Sequence, residues 1–400
     1  MNYEGVIEQS SVGLKELVDS GEEIIGYIYP HAPLELFMAH GFTPSLIRAL
    51  PGTASGFEES LQTFACSYIR NLYSQRANGQ FLTLAGLLFP GNTCDALQNL
   101  GDVWKVRFPE DRVFRLTYPV TRYSPDDSTT RFLSEELRLL SEGISSTFNR
   151  PFLSESYNRA VELVQEFRNS AQFLYSARIV NPMLISYSDV VRFVRSFLTA
   201  PTTSSVSAAR DAAAMVRNTA DELGLLSIIE SVKTAILSGD YSGTELPADL
   251  ETPRIVVAGG MVEPQAIATL FHDMPEVSDS VIVLDLLSFG FKTVFTRSPV
   301  KSDDPFTAMA ESVLTAPGEP THEGLSVRME ALKGLLSNLS IQGVIVCEQS
   351  FCDPDEFEAP SIERAATDLG IKTVRLPLDP ELSDRARIET RIQTFVETLE

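Results

Sequence analysis

Cysteine thiols are the residues of this chain whose positions most clearly indicate chemistry. Cys66, Cys94 and Cys352 each stand where a predicted strand gives way to a loop or a helix, and the 400-residue chain has only one further cysteine, Cys347. Three thiolates that a fold brings together can hold an iron–sulfur cubane in which one iron has no protein ligand. They can equally hold zinc with an open fourth position, and the cysteine count does not separate the two.

The positions of these thiols favour a metal site without proving one. Ligands of open parallel sheets bind beyond the carboxyl ends of the strands, and a helix N-terminus favours a thiolate. The alternative is that the cysteines are small hydrophobic core residues, because their spacing forms no local metal-binding motif. Cys347 lies inside a predicted strand, so we expect it to belong to the core.

Composition restricts the function classes. The formal net charge is −22, and a field of this sign repels a phosphate backbone, so we expect no nucleic-acid partner. A phosphate-bearing small molecule needs only a local cluster of basic groups or helix N-termini. No apolar run is long enough to span a membrane, and the N-terminal residues do not resemble a secretory signal. Four cysteines without regular spacing indicate a reducing compartment, so we expect a cytoplasmic protein.

Hydrophobic periodicity divides the chain into three parts. Predicted strands alternate with helices in residues 1–150 and again in residues 251–400, whereas residues 151–250 are mostly helical. Alternation of this kind predicts parallel sheets covered by helices. We therefore predict an α/β fold with two flavodoxin-like or Rossmann-like domains and a helical middle segment. The first domain carries Cys66 and Cys94, the second carries Cys352, and a cleft between them would receive all three.

Several local expectations follow from the same pattern. Residues 81–89 read as a strand, and the Ser/Thr-rich segment 201–207 reads as a loop. Gly259 and Gly260 follow a predicted strand but lack the spacing of a dinucleotide-binding fingerprint. His322 follows Pro320 and Thr321, and we expect it to lie in an exposed loop.

Four segments of the chain are informative together: Tyr29–Phe42, Phe64–Arg70, Phe89–Leu100 and Gly343–Pro354. In this order they resemble the 2-hydroxyacyl-CoA dehydratase and benzoyl-CoA reductase family, and the resemblance continues to the last helix. Each segment alone is a weak signal, but four in order with all three cysteines in place are specific.

The resemblance implies an iron–sulfur enzyme subunit. In that family three cysteines, which match Cys66, Cys94 and Cys352, hold a [4Fe–4S] cluster between α/β domains, and two related subunits usually pair. An ATP-hydrolysing iron–sulfur activator supplies one low-potential electron. Dehydratases then eliminate water from a (R)-2-hydroxyacyl-CoA through a ketyl radical anion, and reductases instead reduce an aromatic ring. We expect an oxygen-sensitive dehydratase subunit of an anaerobic system, with an aryl-CoA reductase subunit as the alternative.

Two further residues are candidates for roles around the thioester. Many family members carry a small hydroxyl residue where this chain has Pro30 and His31. His31 could donate a hydrogen bond to the open site or to the thioester oxygen, which would make it catalytic. The alternative is that this subunit is a non-catalytic electron relay or scaffold and its partner binds substrate. Arg70 is a candidate for binding a phosphate of coenzyme A.

Overall fold

The computed structural model describes most of the chain. The described residues are 13–51, 54–81, 83–120, 126–247, 253–274, 277–278, 281–380, 382 and 384–399. Statements about structure below concern these residues.

Two four-stranded sheets, both entirely parallel, form the framework. The first sheet has the strand order β2-β1-β3-β4 and the second has the order β6-β5-β7-β8. The two sheets therefore have the same strand order. In each sheet the strand that comes first in the sequence lies in the interior, with the second strand on one side of it and the third strand on the other. The strands are β1 (Ile24–Tyr27), β2 (Thr43–Leu46), β3 (Gly86–Gly91), β4 (Val113–Thr117), β5 (Ile255–Ala258), β6 (Ile282–Leu286), β7 (Gly343–Glu348) and β8 (Lys372–Pro377).

Helices connect the strands and fill the middle of the chain. A kinked turn, Ser288–Lys292, follows β6. The helices are α1 (Leu14–Asp19), α2 (Leu34–Ala39), α3 (Ser67–Ala77), α4 (Asp95–Arg107), α5 (Asp127–Phe148), α6 (Ser154–Val180), α7 (Tyr187–Thr199), α8 (Thr203–Glu222), α9 (Leu226–Ser238), α10 (Pro264–His272), α11 (Pro305–Leu314), α12 (Leu325–Asn338), α13 (Asp353–Thr367) and α14 (Arg385–Glu397).

The central strands are apolar because helices cover both faces of each sheet. Every residue of β1, β3 and β5 is buried, which is the pattern of strands in the interior of a parallel α/β sheet. Gly26 in β1 has no room for a side chain, since a Cβ there would lie 2.7 Å from a methyl carbon of Leu84. The predicted α/β class with two parallel sheets is confirmed.

The middle helices pack against both sheets. The C-terminal half of α6 is buried on all sides, as expected for a helix enclosed by neighbours rather than one on the surface. The rings of Phe167 in α6 and Phe197 in α7 stack with centroids 3.8 Å apart. Arg178, fully buried, donates to the carbonyl of Ile282 at 2.5 Å and so joins α6 to the second sheet.

Some local expectations were wrong. Helix α8 begins at Thr203 inside the segment predicted as a loop, because the Thr202 hydroxyl accepts a hydrogen bond from the backbone of Ser205 and caps the helix. The strand predicted over 81–89 is confined to Gly86–Gly91, and β2 was not predicted. The domain boundary near residue 250 lies outside the described residues, and the three-part division stays a prediction. Within the described residues, no helix is both long and apolar enough to cross a bilayer.

Candidate metal centre

Each of the three candidate thiols occupies the N-cap position of a helix. Cys66 precedes α3, Cys94 precedes α4 and Cys352 precedes α13, all with an extended backbone. Helices α4 and α13 follow β3 and β7, which are the third strands of their sheets, so Cys94 and Cys352 occupy corresponding places in the two halves. At an N-cap the backbone N–H groups of the first turn point towards the side chain and favour negative charge there.

The three thiols line one cavity of about 390 Å³. We call it the cysteine cavity; its other walls come from the loop before α12, the start of α12 and the first turns of α4 and α13. A backbone hydrogen bond of 3.1 Å from Ser67 N to the Ser350 carbonyl joins the start of α3 to the loop before Cys352. The structure therefore brings together residues from both halves, as the sequence predicts for a shared centre.

Burial raises the pKa of all three thiols. The pKa of Cys66 rises to about 12, with a second contribution from nearby Cys94, whose own pKa burial raises to about 11. Burial and then the Asp355 carboxylate raise the pKa of Cys352 still further. Without a bound cation the thiols are therefore protonated at neutral pH. Because a metal deprotonates a coordinating thiol, the donor set matches a positively charged centre.

The three thiols do not form a ready-made site for a single metal ion among the described residues. Among the described residues, no three His, Cys, Asp or Glu side chains are close enough to hold one metal ion. A cubane cluster places each thiolate on a different iron, so its ligands stand further apart than those of one zinc ion. The choice between a cluster and zinc, and the ligand assignment to Cys66, Cys94 and Cys352, stay predictions.

A buried ion pair forms one wall of the cysteine cavity. The Arg328 guanidinium on α12 donates to both carboxylate oxygens of Glu358 on α13, at distances of 2.8–3.1 Å. The two side chains are only 10% and 9% exposed. Arg328 also donates to the carbonyl of His322 at 2.9 Å. The pair therefore fixes the loop before α12 against α13, beside Cys352.

His31 lies in a buried polar cluster rather than on the cavity wall. Its Nε2 is 3.8 Å from one carboxylate oxygen of Glu319. The other oxygen accepts hydrogen bonds from Ser288 Oγ at 2.6 Å and Lys292 Nζ at 3.4 Å. His31 is not among the described residues that line the cysteine cavity, and its catalytic role stays a prediction. Glu319 joins the loop after β1 to the turn after β6.

The expectation for His322 was wrong. His322 is 6% exposed, and its Nδ1 lies 3.1 Å from the hydroxyl of Tyr29, which also lies 2.9 Å from Thr321 Oγ1. Tyr118 packs against both rings. The loop is buried because Tyr29 and Tyr118, which follow strands β1 and β4, cover it. Tyr29 and His322 are 293 positions apart, so the local sequence does not reveal this contact.

Arg70 lies at the edge of the cysteine cavity. Its guanidinium is 5.5 Å from the ring centroid of Phe57 and 5.6 Å from that of Phe351, which lines the cavity. Its Nε is buried without a hydrogen-bond partner among the described residues. The guanidinium is thus held by aromatic faces and keeps donors for an anion. Its predicted contact with a phosphate of coenzyme A stays a prediction.

Asp355 is a buried acid that the sequence did not single out. Burial raises its pKa to about 7 against the opposing effect of the Cys352 thiol. Its Oδ2 is buried without a hydrogen-bond partner among the described residues. A Cβ on Gly260 would collide with Oδ1 of this carboxyl group. The absence of a side chain at Gly260 therefore lets the backbone there pack closely against Asp355. The only available signal was its place in the first turn of α13, three residues after Cys352.

Comparison with known proteins identifies the family of this chain. Residues 30–399 match the family described as 2-hydroxyglutaryl-CoA dehydratase, D-component. The chain is 23% identical to the lactoyl-CoA dehydratase subunit beta of Anaerotignum propionicum, with 95% of this chain and 93% of that protein covered. It is 20% identical to the (R)-phenyllactyl-CoA dehydratase beta subunit of Clostridium sporogenes, with 96% and 94% covered. It is also 23% identical to a benzoyl-CoA reductase subunit of Thauera aromatica, with 95% and 92% covered. The chain belongs to the 2-hydroxyglutaryl-CoA dehydratase D-component family.

Proposed function

We propose that this chain is the [4Fe–4S] subunit of a 2-hydroxyacyl-CoA dehydratase, acting with a homologous second subunit and an ATP-hydrolysing iron–sulfur activator. The observation that carries the proposal is the single cavity lined by Cys66, Cys94 and Cys352. The reaction is elimination of water from a (R)-2-hydroxyacyl-CoA after one-electron reduction. The names of the relatives as beta subunits support a partner subunit.

The chain's own residues hold the centre and shape its surroundings. Cys66, Cys94 and Cys352 would hold the cluster as thiolates, each stabilised by the N-terminal backbone N–H groups of its helix. The bound cluster supplies a reducible centre with one iron that no cysteine ligates. The buried pair of Arg328 and Glu358 forms one wall of this space. Exclusion of water along that wall would strengthen electrostatic interactions with the substrate.

A second candidate function is that of an electron-relay or scaffold subunit. The specific observation in its favour is that His31, at the place where many family members carry a hydroxyl residue, lies 3.8 Å from Glu319 and is not among the described residues that line the cysteine cavity. In that case the partner subunit would bind the thioester. An aryl-CoA reductase subunit is the alternative within the enzyme class, supported by the similarity to the benzoyl-CoA reductase subunit of Thauera aromatica.

Metal analysis tests the proposal first. The protein purified without oxygen is expected to contain iron and acid-labile sulfide in equal amounts, and Cys94→Ser is expected to lose most of both. Cys347→Ser is the matched control, because Cys347 lies fully buried in β7 and is expected to leave the content unchanged. Zinc without sulfide, or equal loss in the two variants, would contradict the ligand assignment.

Substrate-dependent spectroscopy separates the two candidate functions. In the catalytic case, adding a 2-hydroxyacyl-CoA to this subunit, reduced and paired with its partner, is expected to change the electron paramagnetic resonance signal of this chain's cluster. In the relay case only the partner's cluster signal changes. A complex that shows no dehydration of any 2-hydroxyacyl-CoA in the presence of activator and ATP contradicts the dehydratase proposal.

A further inference from the structure

The two hydroxyl side chains that line the cysteine cavity, among the described residues, differ in their partners. The hydroxyl of Thr321 lies 2.9 Å from the hydroxyl of Tyr29. The hydroxyl oxygen of Thr93 is buried and has no hydrogen-bond partner among the described residues. Leaving a buried hydroxyl without a partner costs free energy, so such a group in a native structure requires an explanation. Thr93 is therefore the hydroxyl of this cavity that still has a hydrogen to donate.

The backbone fixes Thr93 beside a predicted ligand. Thr93 lies in the turn between β3 and α4 and directly precedes Cys94, the N-cap of α4. The preceding residue, Asn92, has a φ of 56°, a left-handed conformation that is uncommon outside glycine and that clusters at functional sites. The N–H of Asn92 donates to the side chain of Gln98 on α4 at 2.9 Å. The turn is thus tied to the helix whose first thiol we predict to be a ligand.

The predicted occupant of the cavity supplies acceptors for this hydroxyl. Cysteine ligands of a cluster are thiolates, and the cluster adds inorganic sulfur atoms. Hydrogen bonds to ionised acceptors are about twice as strong as those between neutral groups. The carboxylate of Glu358 on the cavity wall is already bonded to Arg328. The sulfur atoms of the centre are therefore the acceptors that match an unpartnered donor at this place.

We propose that the hydroxyl of Thr93 donates a hydrogen bond to a sulfur atom of the iron–sulfur centre and thereby raises its reduction potential. This inference rests on the proposed function and adds a residue that sets the potential of the centre. One-electron reduction makes the sulfur atoms more negative, so the hydrogen bond from Thr93 is stronger in the reduced form than in the oxidised form. The hydroxyl therefore makes it easier for the activator to deliver its electron.

Thr93→Val tests the hydrogen bond, because valine has nearly the shape of threonine but no hydroxyl. The full chain, purified without oxygen and with its cluster, is titrated with a reductant and followed by electron paramagnetic resonance. The variant is expected to keep the iron and sulfide content of the wild type and to have a lower midpoint potential. The expected change is about tenfold in the equilibrium constant for reduction, which is about 59 mV for one electron.

Thr321→Val is the matched control. It makes the same substitution in the same cavity, but the hydroxyl that it removes already has Tyr29 as its partner, so the midpoint potential is expected to stay unchanged. Thr93→Ser keeps a hydroxyl and is expected to keep the wild-type potential, whereas Thr93→Ala is expected to lower it. If Thr93→Val takes up no cluster, the comparison of the serine and alanine variants carries the same test.

A second measurement detects the hydrogen itself. In deuterated buffer, electron–nuclear double resonance of the reduced wild-type cluster is expected to show one exchangeable deuteron more than that of Thr93→Val. Equal deuteron couplings in the two proteins would overturn the inference, because the hydroxyl of Thr93 would then not be bonded to the centre.

The outcomes separate failure of this inference from failure of the proposed function. A wild-type protein without iron and sulfide overturns both. A midpoint potential that is the same in the wild type and in Thr93→Val, or that falls equally in Thr321→Val, overturns the inference alone. A fall that appears only when a thioester is bound also overturns it, because Thr93 would then donate to the substrate rather than to the centre.

Discussion

Breaking the buried ion pair that lines the cysteine cavity is the sharpest test of how the site is built. Arg328→Met keeps an unbranched apolar side chain on α12 but removes the guanidinium that donates three hydrogen bonds of 2.8–3.1 Å to Glu358. It also removes the donor to the His322 carbonyl. Glu358, whose side chain is 9% exposed, is left as a buried carboxylate without its cation.

The expected loss is large because the remaining charge is not solvated. Removing one partner of a buried, hydrogen-bonded pair typically lowers the free energy of unfolding by about 3–5 kcal/mol. Glu358→Leu alone leaves the guanidinium unpaired and should also destabilise. The double variant removes both charges, so its loss should fall short of the sum of the single losses by about 2 kcal/mol or more.

Chemical denaturation followed by two signals measures these losses. The single tryptophan, Trp104, lies in α4 beside the first sheet, whereas Arg328 and Glu358 pack beside the second. Its fluorescence therefore reports on the first sheet, and circular dichroism reports on all helices. Coincident transitions would show that both halves unfold together, which is required for one free energy of unfolding.

An exposed ion pair provides the control. Arg159 and Glu155 on α6 are 62% and 87% exposed and form a pair one helical turn apart. Arg159→Met should change the free energy of unfolding by about 0.5 kcal/mol or less. The reasoning is refuted if Arg328→Met costs no more than this control, or if the double variant equals the sum of the single ones.

Three further predictions concern the core. Burial raises the pKa of Asp285, so the folded protein keeps the proton on this carboxyl group to a higher pH than the unfolded chain does. The wild type should therefore lose stability relative to Asp285→Asn as the pH rises above about 4. A constant difference in the free energy of unfolding over that pH range would contradict this. A Cβ on Gly290 would collide with the same carboxyl group, so Gly290→Ala should lower the free energy of unfolding, measured by chemical denaturation, by about 1–3 kcal/mol. Gly143 lies in a helix with open space around it, so Gly143→Ala should be neutral or stabilising. Phe167→Ala should lower the free energy of unfolding by about 3–5 kcal/mol, because the fully buried ring of Phe167 stacks on Phe197. A loss below about 1 kcal/mol in the same denaturation experiment would contradict this packing.

The sequence predicted the places of the thiols because a local rule determines them. A run of buried strand residues followed by a cysteine and a helical pattern places the thiol at an N-cap, as at Cys94 and Cys352. Strand β2 was missed because Pro44 argues against a strand; β2 is an edge strand, where a missing N–H is tolerated. The start of α8 was missed because a Ser/Thr run reads as a loop while its first hydroxyl serves as a cap.

The groups behind the thiols could not be predicted in the same way. Glu319 lies between Gly318 and Pro320 in a loop without periodicity, and its contacts with His31 and Lys292 join three separate parts of the chain. The burial of such a residue depends on how the two sheets are placed, which no local pattern expresses. Contacts between distant positions determine which groups surround the site, whereas the ends of strands and helices determine where its thiols lie.

The two halves share a plan but contribute unequally to the site. Both sheets have the same strand order, and in both a cysteine caps the helix after the third strand. The correspondence ends at the third thiol, because Cys66 caps the helix that follows β2, whereas β6 is followed by a kinked turn in which Ser288 and Lys292 contact Glu319. The first half thus supplies two of the thiols and the second half supplies the third. Neither half alone has all three predicted ligands, so the chemistry we propose requires the two sheets to be held together by contacts such as that of Ser67 with Ser350.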